Sequence, residues 1–286
     1  MAGFEGYELA ADAGPARWVA DRIGEFAKNV TSVLPGGFEA YARVFHPAGL
    51  GGRAVTWREV AQANGRTAHP AMQWPSITGA ERFAYGDVQP GIWDTPPEEG
   101  ALPPDLAKAL GGVLVRFTAT PDVAWYAVWE GHGGFEPPSQ APRFEIPHRE
   151  MFLLKGRAGT IAEAPPLAGF TATPNLWWPD DRAWCVATEI DFNTTYVGGS
   201  ADAVAELLAV PGLEVAAVDP ATGITFDSDT VNPRPRPQER TQYVAGTGYD
   251  RVYVDGPADA VADPLAVPGV APAAIDRDTG TDGPRL

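Results

Sequence analysis

At 286 residues, with 44% apolar residues and nine tryptophans, the chain is long enough for one large domain or two ordinary ones, each with a sizeable core. Its formal charge of −16 opposes phosphate backbones and anionic lipid surfaces, and its 18 arginines and three lysines are scattered, so neither nucleic acid nor membrane is expected as a partner. A single cysteine, Cys185, rules out an intrachain disulfide. With no basic-then-apolar leader and no long apolar run, it fits a reducing, cytoplasmic location.

Along the chain, Trp18, Val19, Ile23, Phe26, Ala27 and Val30 recur near the 3.6-residue period and predict an amphipathic helix from about Pro15 to Val30, stopped by Leu34-Pro-Gly-Gly37. Tyr41-Ala-Arg-Val-Phe45 reads as a strand. Thr56-Trp-Arg-Glu59 has the capping-box pattern of a short helix that ends near Gly65. From Gly79 to Pro104, proline, glycine and acids predict a long loop. Leu106 to Leu110 reads as a helix stopped by Gly111-Gly112. Aromatic or β-branched runs predict strands at Val113–Thr118, Ala124–Glu130, Glu150–Leu154 and Ala183–Asp191. Short spacings between several of them favour antiparallel pairing, since a parallel crossover needs a dozen or more residues.

The C-terminal quarter holds an internal repeat: residues 196–223 align without a gap onto 253–280, identical at 18 of 28 positions. In the first copy, Tyr196-Val-Gly-Gly-Ser200 reads as a strand end followed by a serine N-cap, a helix and, at Leu213–Asp219, another strand. In the second copy Pro264 and Pro272 fall inside the matching helix and strand, where each removes a backbone donor, so this copy is expected to be less ordered. Proline alternates with arginine in Pro233-Arg-Pro-Arg-Pro-Gln-Glu-Arg240, as in an extended linker. The organisation read from these signals is an α+β domain over 1–232, mainly antiparallel sheet with a few flanking helices. A linker and lead-in follow at 233–250, then a degenerate, partly disordered repeat at 251–286.

Candidate chemistry concentrates between Asn175 and Ser200. Asp180, Asp181, Glu189 and Asp191 form the richest carboxylate cluster. On a strand Glu189 and Asp191 share a face and can divide acid and base roles, because neighbouring carboxylates push each other's pKa apart. The alternative is structural: Asp180 caps a turn, Arg182 pairs with Asp181, and Glu189 and Asp191 line a solvated face. Trp177 and Trp178, with Arg182, suit a surface that holds a protein or a small polar ligand, or else an ordinary core. Adjacent tryptophans in an extended segment point opposite ways, so one of the two is expected to be more exposed.

Other chemistries lack their signatures. His46, His69, His132 and His148 have no metal-ligand spacing, no nucleophile elbow occurs, and Cys185 reads as a buried thiol. Gly198-Gly-Ser200 lacks every phosphate-loop pattern, and no cofactor fingerprint is present. Asp276-Arg-Asp-Thr-Gly-Thr-Asp282 alternates oxygen ligands but misses the glycine position and distal glutamate of a calcium loop.

The run Trp177-Trp-Pro-Asp-Asp-Arg-Ala-Trp184, continuing through Val186-Ala-Thr-Glu-Ile-Asp191 to Tyr196-Val-Gly-Gly-Ser200, resembles the hallmark segment of an uncharacterised bacterial protein family with no established activity. Tyr41-Ala-Arg-Val-Phe-His-Pro47, Ala127-Val-Trp-Glu-Gly131 and the region from Arg149 extend the likeness over about residues 15–215. It supplies no catalytic residue. Val33-Leu-Pro-Gly-Gly-Phe-Glu-Ala-Tyr41 is similar to the opening of the SUKH superfamily of α+β immunity and scaffold proteins, which implies a binding role. Two functions follow as expectations: a non-enzymatic binding protein using Trp177, Trp178 and the Asp180–Arg182 surface, or a hydrolase-like enzyme drawing a carboxylate pair from the same segment.

Overall fold

The computed structural model describes residues 6–78, 88–132, 137–163, 173–233, 240–244 and 251–255. In chain order its elements are β1 (Glu8–Leu9), α1 (Arg17–Ala20), β2 (Ala40–Phe45), β3 (Ala48–Leu50), β4 (Arg53–Val55), α2 (Trp57–Ala63), α3 (Trp74–Ile77), α4 (Pro104–Leu114) and β5 (Ala124–Trp129). There follow β6 (Arg143–Ile146), β7 (Arg149–Gly156), α5 (Thr160–Glu163), β8 (Leu176–Pro179), β9 (Cys185–Ala187), β10 (Thr194–Gly199), α6 (Ala201–Leu208), β11 (Val215–Ala217), β12 (Arg240–Val244) and β13 (Arg251–Asp255).

The fold is α+β, built on a nine-stranded antiparallel sheet in the order β1-β7-β5-β8-β9-β10-β2-β11, with β6 paired to β7. Alternating side chains feed two cores. On one face Tyr126, Phe152, Trp177, Val186 and Val197 meet Leu106, Leu110 and Leu114 of α4 and Leu207 of α6. On the other, Leu153, Trp178, Cys185 and Tyr196 are covered by Trp18, Val19, Val30 and Leu34 of the N-terminal segment. A third cluster, around Trp57, Trp74 and Trp93, extends past the end of β2. Two small hairpins, β3–β4 and β12–β13, complete the pairing.

Several elements follow their sequence signals closely. Thr56 and Glu59 form the reciprocal capping box at the start of α2, and Ser200 caps α6 through the Ala203 amide. Four elements differ. The helix predicted over 15–30 is only a 3-10 turn at Gly14–Ala16, then α1, then a second 3-10 turn at Val30–Ser32 capped by Asn29. Trp18, Val19 and Val30 are buried and Ile23, Phe26 and Ala27 half-buried, but α1 ends at Ala20 and Ala27 at φ 55° stands outside helical conformation. The strand predicted at 113–118 is the end of α4 and a 3-10 turn. Gly111 does not stop the helix. A Cβ there would lie 2.5 Å from Ile161 Cγ2, so the glycine lets α4 and α5 approach.

The strand predicted at 183–191 shrinks to β9, because Glu189 and Asp191 turn away in a loop closed by the Asp191 amide on Glu189 Oε2 at 2.7 Å. Tyr253, Val254 and Asp255, counterparts of Tyr196, Val197 and Gly198, lie in β13. The rest of the second copy, the acidic run 276–282, most of the Pro/Arg run and positions 79–87 of the predicted loop lie outside the described residues. Among the described residues no helix is long and apolar enough to cross a membrane.

Candidate functional site

The four carboxylates do not converge. Asp180 and Asp181 follow β8 at one end of the sheet, while Glu189 and Asp191 follow β9 at the opposite end. Asp181 accepts hydrogen bonds from Thr118 Oγ1 at 2.9 Å, the Ala119 amide at 2.6 Å and the Ala183 amide at 3.1 Å. Asp180 accepts from Trp125 Nε1 at 2.9 Å. Both hold local structure. Arg182 is exposed at φ 58°, with its guanidinium 5.6 Å from the Trp18 ring, and makes no ion pair with Asp181.

Trp177 and Trp178 do point to opposite faces, but both are 0% exposed, which corrects the expectation that one reaches the surface. The physical reason is that both faces of β8 are covered, one by helices and the other by the N-terminal segment. Of the nine tryptophans only Trp125 and Trp129, both on β5, reach solvent.

Trp129 belongs to the constellation that the sequence leaves hidden, at the Glu189 end of the sheet. β7 begins at Arg149, directly after the Pro147-His148 turn of the β6–β7 hairpin, in which His148 takes φ 61°. From there the guanidinium reaches across β5 and β8 to the β9–β10 loop. Arg149 Nε donates to Glu189 Oε1 at 2.8 Å and Nη2 to Asp191 Oδ2 at 2.9 Å. Its flat faces lie 5.6 Å from Phe26 and 5.7 Å from Trp129, within cation–π range. Gly131 admits the Trp129 ring, since a Cβ there would fall 2.2 Å from it.

Beside this clamp lies a small apolar depression lined by Phe26, Trp129, Ile146, Pro147, Met151 and Leu176. It encloses about 30 Å³, room for a water or two, where small-molecule pockets run to about 300 Å³ or more. Burial pushes the Glu189 carboxyl up from its ordinary range, opposed by its bond from the Asp191 amide and by the Arg149 charge. Glu99 is raised too, by burial and then by the charges of Asp191 and Glu189. This end of the sheet is therefore rich in carboxylate, with Arg149 as the cation that binds two of them together.

A buried polar network forms the floor. Asn175 Oδ1 accepts from the Trp129 amide at 3.0 Å and bonds His132 Nε2 at 3.1 Å, while Nδ2 donates to the Thr188 carbonyl at 3.2 Å. Behind it Thr188 and Thr195 hydroxyls lie 2.6 Å apart, and Thr195 donates to His46 Nε2 at 2.9 Å. His46 Nδ1 donates to the Glu98 carbonyl at 2.7 Å, which places a proton on that nitrogen. Burial lowers its pKa to about 4. Cys185 is wholly buried and its thiol is pushed far up, so it is no nucleophile.

Replacing Arg149 with methionine is expected to cost about 3 kcal/mol at neutral pH, because Glu189 would be left as a buried charge. Without the arginine the Glu189 pKa rises further. The penalty should therefore shrink as pH falls toward the ordinary carboxylate value and the group takes its proton. Urea titrations at neutral and mildly acidic pH check this; an equal cost at both would contradict the pairing.

Arg149, Trp129 and Phe26 had no joint signal in the sequence, since only the strand order brings positions 26, 129, 149 and 189 together. Among the described residues no group of three or more His, Cys, Asp or Glu side chains is placed to hold a metal ion. No protein-family model, curated protein or solved structure matches the chain.

Proposed function

We propose that the protein is a non-enzymatic binding module that holds a protein partner at the Glu189 end of the sheet, over the depression bordered by Phe26, Trp129 and Pro147. The observation that carries this reading is the engagement of all four candidate carboxylates. Two hold backbone and indole hydrogens, and two are bridged by one arginine. A void of about 30 Å³ suits a single partner side chain at a protein interface better than a small-molecule substrate. Half-buried Trp129 and Phe26 beside Arg149 are the residue types that concentrate interface energy.

The test is partner capture with wild type, Trp129→Ala and Phe26→Ala, after circular dichroism has shown each to be folded. Loss of one and the same partner in both variants is expected. Retention of every partner by both would remove the reading. The competing enzyme hypothesis draws on the raised Glu189 carboxyl next to Asp191. It predicts a turnover, found in a hydrolase screen, that Glu189→Gln abolishes, and that result would replace the binding module with an enzyme.

A further inference from the structure

β6 is an edge strand whose free side opens on a groove. Its register against β7 pairs Arg143 with Phe152, Phe144 with Met151, Glu145 with Glu150 and Ile146 with Arg149. The neighbouring bond from the Leu153 amide to the Pro142 carbonyl makes Arg143 and Glu145 the non-hydrogen-bonded members of this ladder. Their N–H and C=O groups therefore point away from β7. Among the described residues no backbone group takes them up. Alongside lies a groove of about 340 Å³, with Phe144 and Glu145 on one wall and Asp12 and Arg17 on the other.

Charge and pattern specify what fits. Glu145 stands directly opposite Glu150, an unfavourable like pair. Arg143 leans toward Glu150 at 3.5 Å and Glu130 at 3.9 Å, not toward Glu145. A residue paired with Glu145 on an added strand would share its face, so lysine or arginine there gains a cross-strand ion pair. The residues on either side would share the opposite face with Phe144 and Ile146, where apolar side chains belong. Pro142 and Pro147 bound the open ladder to about four residues.

We propose that the β6 edge is a strand-addition site for an extended apolar–basic–apolar segment of a partner protein, seated in the groove between β6 and residues 12–20. This rests on the binding-module reading and adds a second contact for the partner, adjoining the depression through Ile146 and Pro147. Main-chain bonds to Arg143 and Glu145 supply affinity and Glu145 supplies the preference for a base.

The experiment is an NMR titration of the full chain with the blocked peptide acetyl-Thr-Val-Lys-Val-Thr-amide. Expected are weak binding, shifts confined to amides of residues 12–20 and 143–146, and about tenfold loss when the backbone amide nitrogen of the lysine is methylated, one ladder bond being removed. Glu145→Lys, an exposed change that leaves the core untouched, should weaken this peptide about fivefold and favour its glutamate counterpart. Equal binding of the methylated peptide, shifts elsewhere, or no shifts at all would overturn the proposal. So would a dimer in sedimentation that Glu145→Lys dissolves, which would make a second copy the occupant. If the peptide fails while Trp129→Ala still abolishes partner capture, the strand mode falls and the binding module stands.

Discussion

Truncation of Trp178 to alanine should lower stability by about 3–5 kcal/mol, and truncation of Trp177 by a similar amount, although the two residues are neighbours in sequence. Each is a fully buried keystone of a different core. Trp178 meets Trp18 at 5.9 Å and Phe144 at 6.4 Å, edge to face, in the layer closed by the N-terminal segment. Trp177 stacks on Tyr126 at 6.3 Å and abuts Trp184 at 5.1 Å under the helices. The Trp177 indole nitrogen has no hydrogen-bond partner among the described residues, so Trp177→Phe gives up volume without stranding a polar group and should cost far less than alanine. Urea titration of the three variants checks the layering. A Trp178→Ala loss under about 1 kcal/mol would mean that the N-terminal segment does not cover that face.

Acid should expose the second large effect. His46 is neutral in the fold with a pKa near 4, against 6.5 when free, so the unfolded chain binds the extra proton first. Stability from this group is intact above the free value and falls as pH drops from about 6.5 to about 4. The total is roughly 3 kcal/mol at 1.36 kcal/mol per unit. Glu98, Glu99, Glu189 and Glu214, all raised by burial, act in the opposite direction. They lose stability as pH rises through and above the ordinary carboxylate range, so the whole-protein curve mixes both signs. The comparison that isolates His46 is His46→Gln against wild type from neutral pH to pH 4. The variant should be less stable at neutral pH and the gap should narrow steadily on acidification. A pH-independent gap would mean that the ring is not held neutral.

How far the sequence could be read depended on the range over which each signal acts. Local chemistry was legible: the Thr56–Glu59 box and the Ser200 cap need no tertiary partner, and the aromatic runs of β5 and β7 are strands wherever they pair. Signals with two physical causes misled. Gly111 looks the same whether it ends a helix or admits a neighbour, and only Ile161 tells which. The apolar period over 18–30 reports burial against a flat sheet, which an irregular segment achieves as well as a helix does. At the candidate site, Glu189 and Asp191 stood out as carboxylates. Their partner Arg149 lies 40 residues from Glu189 in sequence and is reached only through the order β7-β5-β8-β9. Trp177 and Trp178 are conspicuous in residue type, yet a sheet covered on both sides turns such residues into core.

The place of β2 between β10 and β11 bears on how the chain assembles. Phe45 pairs with Thr194, and Val44 with both Thr195 and Val215, so an early strand waits for β10 before it has any sheet neighbour and for β11 before both its edges are paired. During synthesis β5 and β7 can zip together with little intervening chain, and β8 and β9 can follow. β2 must meanwhile keep both edges unpaired until β10 at Thr194–Gly199 has emerged, and one edge until β11 at Val215–Ala217 follows. With such high contact order, closure of the sheet is expected to be the slow step of folding, and earlier protection of β5 and β7 than of β2 in pulsed hydrogen exchange would check it. The segment most exposed to mispairing in that interval is Tyr41–Phe45.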